Sequence, residues 1–375
     1  MIKAAEIVEK MSYNIIKLDQ IKKLEERKLN QEYIEKLVDG AYQSQKLAQD
    51  EISFLLKQPL ENLGYLLKKA DQKREEIFSN EVHLRAIIEF SNYCRQNCFY
   101  CGLRKDNQSI ERYQLKKEEI IESAESAAEI GYKTVVLQSG EDEYSAKKIA
   151  EIIKEIKSRT SMAVTLSLGE RDFSDYELWR EAGADRYLLK HETADRELYK
   201  KYHPNMSFDN RIESLKYLKN LGYQIGSGVI IGLPGQSEEI LAEDILLLKK
   251  LDIDMMGAGP FIPHHETPLK NAKTGTVEMT LKFNAVCRLL MPLVHIPATT
   301  ALGTIDVQGR QKALKAGANV VMPNVTESIY REKYQIYPDK ICINEEAGDC
   351  RHCIGSIINS LGRYVSQSAG HSLKI

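Results

Sequence analysis

Three cysteines lie close together in the segment FSNYCRQNCFYCGL, at Cys94, Cys98 and Cys101. An apolar run precedes them, so we expect all three on a loop that leaves the end of a strand. Three thiolates without a fourth suit a cubane [4Fe–4S] cluster that keeps one iron open to a further ligand, whereas four thiolates would complete the coordination. The alternative is a zinc knuckle whose fourth ligand lies elsewhere in the chain.

A second group of three cysteines, Cys342, Cys350 and Cys353, lies near the C-terminus. Six of the seven cysteines therefore fall into two clusters of three, a pattern that favours metal binding over a disulfide framework. We expect a second Fe–S cluster or a zinc site here, peripheral to the first, with His352 as a candidate fourth ligand. The seventh cysteine, Cys287, stands in the apolar run AVCRLL and is predicted to be a core residue.

Short β-rich runs alternate with amphipathic helical stretches through most of the chain, and Gly131, Gly183, Gly222 and Gly317 follow helices as C-caps. The predicted strands are 83–90, 134–138, 163–168, 186–190, 225–231, 254–259, 295–301 and 318–322. The predicted helices are 116–130, 145–158, 174–182, 207–221, 237–251, 279–292 and 309–316. Eight such units predict an α/β fold, a (β/α)8 TIM-type barrel, with an open parallel sheet as the alternative.

Three regions follow from this pattern. Residues 1–75 form a predicted N-terminal helical segment that packs on the barrel, residues 76–325 form the barrel, and residues 326–375 form a C-terminal wrapping segment with the second cysteine cluster. Because barrel enzymes place their chemistry at the C-terminal ends of the strands, the residues that directly follow each strand are the candidate site residues.

Composition excludes several classes of function. The 375 residues carry a formal net charge of −2, so no basic field is available for a nucleic-acid backbone. No apolar run approaches the ~20 residues needed to cross a bilayer. The N-terminus contains acidic residues and has no apolar signal region, so we expect a cytoplasmic protein without nucleic-acid or membrane partners.

The Cys-x3-Cys-x2-Cys loop after the first strand resembles the signature of the radical S-adenosylmethionine (SAM) superfamily. The resemblance implies a [4Fe–4S] cluster on Cys94, Cys98 and Cys101 as the catalytic centre and SAM as cofactor, cleaved reductively to a 5′-deoxyadenosyl radical. It also implies SAM contacts on the loops that follow the strands. The expected SAM-binding residues are Tyr100 beside the adenine, Gly140, Glu141, Ser167, Glu192, Arg211 and Gly232.

Longer stretches resemble one family within this superfamily, the [FeFe]-hydrogenase maturases of the HydE type. They include VVLQSGED, VTLSLGE, ADRYLLKHETA, IPATTALGT, GANVVMPN and YQIYPDKIC. The resemblance implies a step in assembling the diiron subcluster of the H-cluster, on a cysteine-ligated iron carbonyl/cyanide substrate. It implies HydG and HydF as partners and a ferredoxin or flavodoxin as electron donor. The expected substrate cavity is lined by Lys190, Met255, Thr299, Thr300, Met322, Tyr334 and Tyr337.

One position departs from the expected family pattern, because Lys190 stands where an arginine is expected before His-Glu. Lysine offers a point charge, while arginine offers a two-pronged fork for a carboxylate. A related enzyme of the biotin-synthase or methylornithine-synthase type, acting on another small sulfur- or amino-acid-derived substrate, is therefore a second hypothesis. A third is a non-enzymatic Fe–S or zinc protein, which would leave the polar residues after the strands without a role.

Overall fold

The computed structural model describes residues 28–374, so residues 1–27 of the predicted N-terminal helical segment and Ile375 lie outside the description. Within residues 28–374, no helix is both long and apolar enough to cross a membrane. The helices before the first strand are α1 (28–44), α2 (Gln49–Lys57) and α3 (Gly64–Phe78), with a 3-10 turn at Leu60–Leu63. Helix α2 packs against α9 and helix α3 against α10, both defined below, so these helices cover the outside of the barrel.

The strands are short and parallel. They are β1 (Glu81–Leu84), β2 (Ala86–Ser91), β3 (Thr134–Ser139), β4 (Ala163–Ser167), β5 (Arg186–Leu188), β6 (Gln224–Ile231), β7 (Met255–Pro260), β8 (Val320–Val321) and β9 (Tyr364–Val365). Strands β2 to β7 form one six-stranded sheet in sequence order, and β8, β1 and β9 form a second sheet. Parallel strands that follow one another in the sequence and lie side by side in the sheet require crossover helices on one face, as in a (β/α) barrel.

The remaining helices include these crossovers, and each expected crossover helix is present. They are α4 (Lys117–Glu129), α5 (Ala146–Arg159), α6 (Phe173–Glu181), α7 (Arg196–Tyr202), α8 (Phe208–Asn220), α9 (Glu238–Lys250), α10 (Val277–Leu290), α11 (Thr300–Ile305), α12 (Gly309–Leu314), α13 (Ser328–Arg331) and α14 (Ala347–Ser360). Four of these, α7, α11, α13 and α14, are not among the predicted helices. They are short or follow the barrel, where no strand-to-helix alternation marks them.

The two sheets are joined into a ring by parallel backbone bridges. Met255 pairs with His295, Pro297 pairs with Val320, and Ile87 pairs with Asn324. The extended segment between β7 and β8 is shorter than predicted. Residues 295–298 supply two of the bridges, but Thr299 is the N-cap of helix α11, so the predicted strand 295–301 is wrong in its second half. The ring gives strands β1 to β8 two neighbours each, while β9 pairs only with β1 at the edge of the second sheet.

The C-terminal tail closes the N-terminal end of this ring. The Ala369 carbonyl accepts hydrogen bonds from Thr134 Oγ1 at 2.9 Å and from Arg186 Nη2 at 2.8 Å. The Gly370 carbonyl accepts from Arg85 Nη2 at 3.2 Å, and Ser372 Oγ donates to Asp254 at 2.5 Å. The partners of the tail lie at the beginnings of strands, so the tail covers the barrel floor.

A substitution at Gly370 would show how closely the C-terminal tail packs against the barrel floor. Its φ is +60°, and an added Cβ would lie 2.7 Å from His83 Nδ1, whereas Gly362 at φ +71° has open space at that point. Alanine in the left-handed region costs roughly 1–2 kcal/mol at either site. We expect Gly370→Ala to lower the free energy of unfolding by about 1–3 kcal/mol more than Gly362→Ala, because only Gly370 is overpacked. Urea denaturation of the two variants measures this, and equal losses would mean that the tail does not press on the floor.

Candidate functional site

The cysteine loop leaves the end of β2 and is held against the loop that follows β3. Arg95 N donates to the Glu141 carbonyl at 2.8 Å. A Cβ added to Gly140 would lie 2.2 Å from the Tyr93 carbonyl oxygen and 2.9 Å from Cys94 Cβ. Glycine at this position therefore lets the β3 loop pass close enough to fix the first cysteine.

The three thiols of this loop lie close together and are half-buried. Burial raises the pKa of Cys98 well above its ordinary value, and neighbouring Cys101 and Cys94 raise it further. Burial, with Cys94 beside it, raises the pKa of Cys101 to about 12. Such thiols keep their protons at neutral pH unless a metal displaces them.

This donor set fits an iron–sulfur cluster better than a single ion. No three His, Cys, Asp or Glu side chains within residues 28–374 are arranged around one ion position. A cubane attaches its thiolates to separate irons, so its ligands need not converge on one point. The three half-buried cysteines are therefore compatible with a three-thiolate cluster.

Tyr100, Glu192 and Arg211 lie around this loop. Burial raises the pKa of Tyr100, and the charges of Cys98 and Glu192 raise it further, while Arg211 opposes them. Arg211 also opposes the rise in the pKa of Cys98. The loops after β2 and β5 and the start of α8 therefore bring these expected SAM-binding residues to one place.

Arg211 is held between two buried carboxylates. Its Nε donates to Glu170 Oε1 at 2.5 Å, its Nη2 lies 3.7 Å from Glu141 Oε1, and its Nη1 donates to the Lys190 carbonyl at 3.0 Å. Glu141 Oε1 accepts from the Glu170 backbone N–H at 2.9 Å. A Cβ on Gly169 would lie 1.9 Å from Glu141 Cγ, so this glycine makes room for the Glu141 side chain.

Glu192 adopts a backbone conformation that is unusual for glutamate, with φ +66°. Hydrogen bonds with β6 hold it there: its N–H donates to Gly228 O at 2.9 Å, and its carbonyl accepts from Ile230 N at 3.2 Å. Its carboxylate forms an ion pair with Lys190 Nζ at 2.9 Å. Such strain is concentrated at functional sites, where the surrounding structure enforces it.

The other two expected SAM contacts lie at strand ends but differ in character. Ser167 is the last residue of β4, is half-buried and pairs in register with Gln138. Gly232 follows β6 at φ +92°, and a Cβ there would lie 2.6 Å from Gly275 Cα. Close packing against Gly275 therefore explains this glycine without any ligand.

The inside of the barrel contains space that side chains do not fill. Alternate strand residues point inward, and several inward positions keep partial accessibility while their outward neighbours are buried. These positions are Ile87, Gln138, Ser167, Leu188, Lys190, Gly257, Gly259, Pro297, Thr299 and Met322. A filled TIM barrel has no such pattern, so we infer that side chains do not completely fill the lumen.

Most of the expected substrate residues lie along this lumen. A Cβ on Gly257 would lie 3.9 Å from Lys190 Cε, and one on Gly259 would lie 3.2 Å from Thr299 Oγ1. Thr299 Oγ1 is buried and has no hydrogen-bond partner within the described residues. The Tyr334 hydroxyl accepts from Gln138 Nε2 at 3.4 Å.

Thr300, Tyr337 and Met255 also interact with residues outside this group. The Thr300 hydroxyl accepts from Arg310 Nη2 at 3.3 Å. Tyr337 is close to the same arginine. Burial raises the pKa of Tyr337, and the charge of Arg310 opposes this rise. Met255 begins β7 at the barrel floor, with its sulfur 2.8 Å from Arg85 Nη1.

The second cysteine cluster is only partly assembled. Cys342 and Cys350 are hydrogen-bonded to each other, and this bond lowers the pKa of Cys342 to about 6 against the effect of burial. Arg310 Nη1 lies 3.6 Å from Cys342 Sγ. Cys353 is exposed on α14, as is His352. Two of the three thiols are therefore together and the third faces solvent.

The prediction from sequence did not include several residues of the site. Glu170 pairs with Arg211, and His203 lies 2.8 Å from the Tyr100 hydroxyl. Lys340 forms an ion pair with buried Glu89, which also accepts from Asn324 Nδ2 at 2.5 Å. Glu170 follows a strand, which was the available signal, but a charged residue there is indistinguishable from a surface residue until its partner is known.

Comparison with known proteins adds independent findings. The sequence profile of the Radical SAM superfamily matches residues 88–281. The chain is 54% identical over 299 residues to the [FeFe] hydrogenase maturase subunit HydE of Thermotoga maritima, covering 80% of this chain and 86% of that protein. It is 33% identical over 294 residues to 3-methylornithine synthase of Methanosarcina acetivorans, covering 76% and 81% respectively. The crystal structure of methylornithine synthase PylB superposes with a TM-score of 0.78 at 28% identity, covering 88% of this chain and 97% of that one.

The buried Arg211 network yields a stability prediction. Glu170 and Arg211 side chains are 11% and 8% exposed, whereas those of the ion pair Arg196–Asp209 are 61% and 72% exposed. Removing one partner of a buried pair costs about 3 kcal/mol or more, and an exposed pair contributes at most about 1 kcal/mol. We expect Glu170→Gln to lower the free energy of unfolding by about 3 kcal/mol, and Asp209→Asn to change it far less because water screens the exposed pair. Denaturation of the cluster-free proteins checks this, and a Glu170→Gln loss no larger than that of Asp209→Asn would contradict the assigned network.

Proposed function

The chain belongs to the radical SAM superfamily and, within it, to the family of the maturase subunit HydE, and we propose that it acts in assembling the diiron subcluster of [FeFe]-hydrogenase. It is a radical SAM enzyme whose family employs a [4Fe–4S] cluster and SAM. We assign the cluster to Cys94, Cys98 and Cys101. When bound, these two groups supply an electron and a 5′-deoxyadenosyl radical that abstracts hydrogen or adds to a substrate atom.

The observation that supports this assignment is the grouping of three half-buried thiols beside a ring of polar residues from four different loops. Glu141 and Glu192 offer carboxylates suited to the SAM ammonium and ribose hydroxyls, and Arg211 offers a guanidinium suited to the SAM carboxylate. Tyr100 offers an aromatic face for the adenine. In this proposal Glu141 and Glu170 keep Arg211 oriented before the cofactor arrives, so little reorganisation is needed on binding.

The protein's further contribution is to enclose the reaction. The lumen lies between the floor covered by Ala369 and Gly370 and the polar ring at the C-terminal ends of the strands. Enclosure keeps water and oxidants from a reactive radical, so that it meets only its substrate. Lys190, Thr299, Met322 and Tyr334 are the proposed substrate contacts, together with Met255, Thr300 and Tyr337.

The substrate proposal rests on how similar this chain is to each of its two relatives. The chain shares 54% of aligned residues with the HydE subunit and 33% with 3-methylornithine synthase, so the hydrogenase-maturation role is favoured over the amino-acid one. A cysteine-ligated iron carbonyl/cyanide unit is the proposed substrate. HydG as its source, HydF as the acceptor of the product and a ferredoxin or flavodoxin as reductant complete the proposal, which places the protein in the cytoplasm.

The lysine at position 190, where an arginine is expected, supports a different small substrate as the second candidate. Its Nζ forms an ion pair with Glu192 at 2.9 Å, so part of its charge is already compensated. An arginine could contact Glu192 and a substrate carboxylate together, while lysine offers a single point charge. A substrate with a smaller or less directional anionic group fits this arrangement better than one that needs a two-pronged contact.

We also propose a second metal site at Cys342, Cys350 and Cys353, peripheral to the reaction. The neighbouring thiols of Cys342 and Cys350 support it, and Cys353 needs to turn inward from the exposed side of α14.

The three regions that we propose for the chain are residues 1–75, 76–325 and 326–375. The tail contacts with the barrel floor support the wrapping role of the last region.

The function is tested anaerobically with the reconstituted protein. The protein is loaded with iron and sulfide, reduced and given SAM, and 5′-deoxyadenosine is measured with and without the cysteine-ligated iron synthon. Stimulated cleavage with consumption of the synthon is the expected result. Cleavage that is indifferent to the synthon would move the assignment to another substrate, and absence of any cleavage would contradict the cluster assignment.

Two cysteine variants separate the two metal sites. We expect Cys98→Ala to abolish SAM cleavage, because it removes a ligand of the cluster that binds SAM. We expect Cys350→Ala to retain most of the cleavage, because its thiol contacts only the peripheral site. The same deoxyadenosine assay reads both variants, with iron content as the control for loading. Equal loss in the two variants would refute this division of roles.

A further inference from the structure

The end of helix α7 contacts the cysteine loop between two of its metal ligands. Phe99 N donates to the Tyr202 carbonyl at 3.0 Å, at the last residue of α7. The Tyr202 ring packs with Leu233 and Phe261 in a small apolar cluster of its own, and Phe99 and Tyr100 rest against this cluster. Helix α7 therefore supports the part of the loop that lies between Cys98 and Cys101.

The next residue, His203, hydrogen-bonds to the only hydroxyl on that part of the loop. Its Nε2 lies 2.8 Å from the Tyr100 hydroxyl, and its Nδ1 lies 2.9 Å from the Tyr199 carbonyl. A carbonyl only accepts, so Nδ1 carries the proton, and in the neutral imidazole that burial favours, Nε2 is left as an acceptor. The Tyr100 hydroxyl is therefore the donor, and its direction is set by the backbone of α7.

The imidazole itself has little freedom to move. His203 is 1% exposed, and the Tyr199 ring stacks on it with centroids 4.2 Å apart and planes 18° apart. The Tyr100 ring meets it edge-on at 5.3 Å. A fixed acceptor at one end of Tyr100 and the cluster ligand Cys101 at the other hold the ring in one orientation.

We infer that His203 is a positioning residue, which acts through the Tyr100 hydroxyl to fix both the cysteine loop and the aromatic face offered to the adenine. The inference rests on the proposed cluster and SAM site. It assigns His203 no contact with the cluster, the cofactor or the substrate. Its effect is on the order of the loop before SAM binds.

A double-mutant cycle tests this inference. The variants are His203→Phe, which keeps an aromatic ring for Tyr199 but removes the acceptor, Tyr100→Phe, which removes only the hydroxyl, and the combination. SAM affinity is measured from the change in the EPR spectrum of the reduced cluster, and loop order from the rate of iron loss to a chelator without SAM. We expect each single variant to weaken SAM binding about tenfold and to speed iron loss, with the double variant no worse than either.

Two further variants keep the test decisive. His203→Gln retains an acceptor and should restore SAM affinity when Tyr100 is present, but not in the Tyr100→Phe background. Tyr223→Phe removes another buried hydroxyl, which donates to the Tyr176 carbonyl at 2.7 Å on the outer wall, and should change neither readout. If His203→Phe does not fold, Tyr100→Phe and His203→Gln still carry the comparison.

The outcomes are distinguishable. Additive effects of His203→Phe and Tyr100→Phe, or a normal EPR response and normal iron retention in Tyr100→Phe, would overturn the positioning role. Failure of the unmodified protein to hold a cluster or respond to SAM would instead overturn the proposed function. Because neither readout involves the hydrogenase-related substrate, the identity of that substrate does not affect the result.

Discussion

The barrel must keep its inner space open while both ends are covered, and much of the rest of the structure follows from this constraint. Gly257 and Gly259, at inward positions of β7, leave volume where other barrels place branched side chains. The floor is then covered by the C-terminal tail, and the opposite end by the cysteine loop and the segment 333–342. Gly102 lets these last two meet, since a Cβ there would lie 2.0 Å from the Gln335 carbonyl oxygen.

Burying so many charged side chains requires that most of them have a partner. Arg211 lies between Glu141 and Glu170, and Glu89 is neutralised by Lys340. On the floor, Arg85 and Arg186 donate to backbone carbonyls of the tail instead of carboxylates. Desolvated charges without partners would cost several kcal/mol each. The paired arrangement also makes the upper ring rigid, which suits a site that must orient a flexible cofactor.

The alternation of strands and helices made the barrel predictable, since parallel strands joined by amphipathic helices leave few other arrangements. The predicted boundaries are right to within a few residues except at two places. The predicted strand 83–90 is divided at Arg85 into β1 and β2, which lie in different sheets. After Pro297, Thr299 is the N-cap of helix α11 instead of continuing a strand. The local pattern there is apolar and β-branched, which is typical of a strand, so this pattern alone favours the wrong outcome. Short helix α7 was missed because seven residues carry too little periodicity to predict a helix.

The sequence by itself determined the thiolate chemistry, because cysteine spacing within one loop is local and its metal preference depends on ligand type. It also determined the barrel, because side-chain periodicity is local. Only the tertiary structure decided which charges meet: Glu170 and Arg211 are 41 residues apart, Tyr100 and His203 are 103 apart, and Arg186 and Ala369 are 183 apart. Such pairs depend on distances of a few ångströms between separate elements, and those distances are set by packing of the whole barrel.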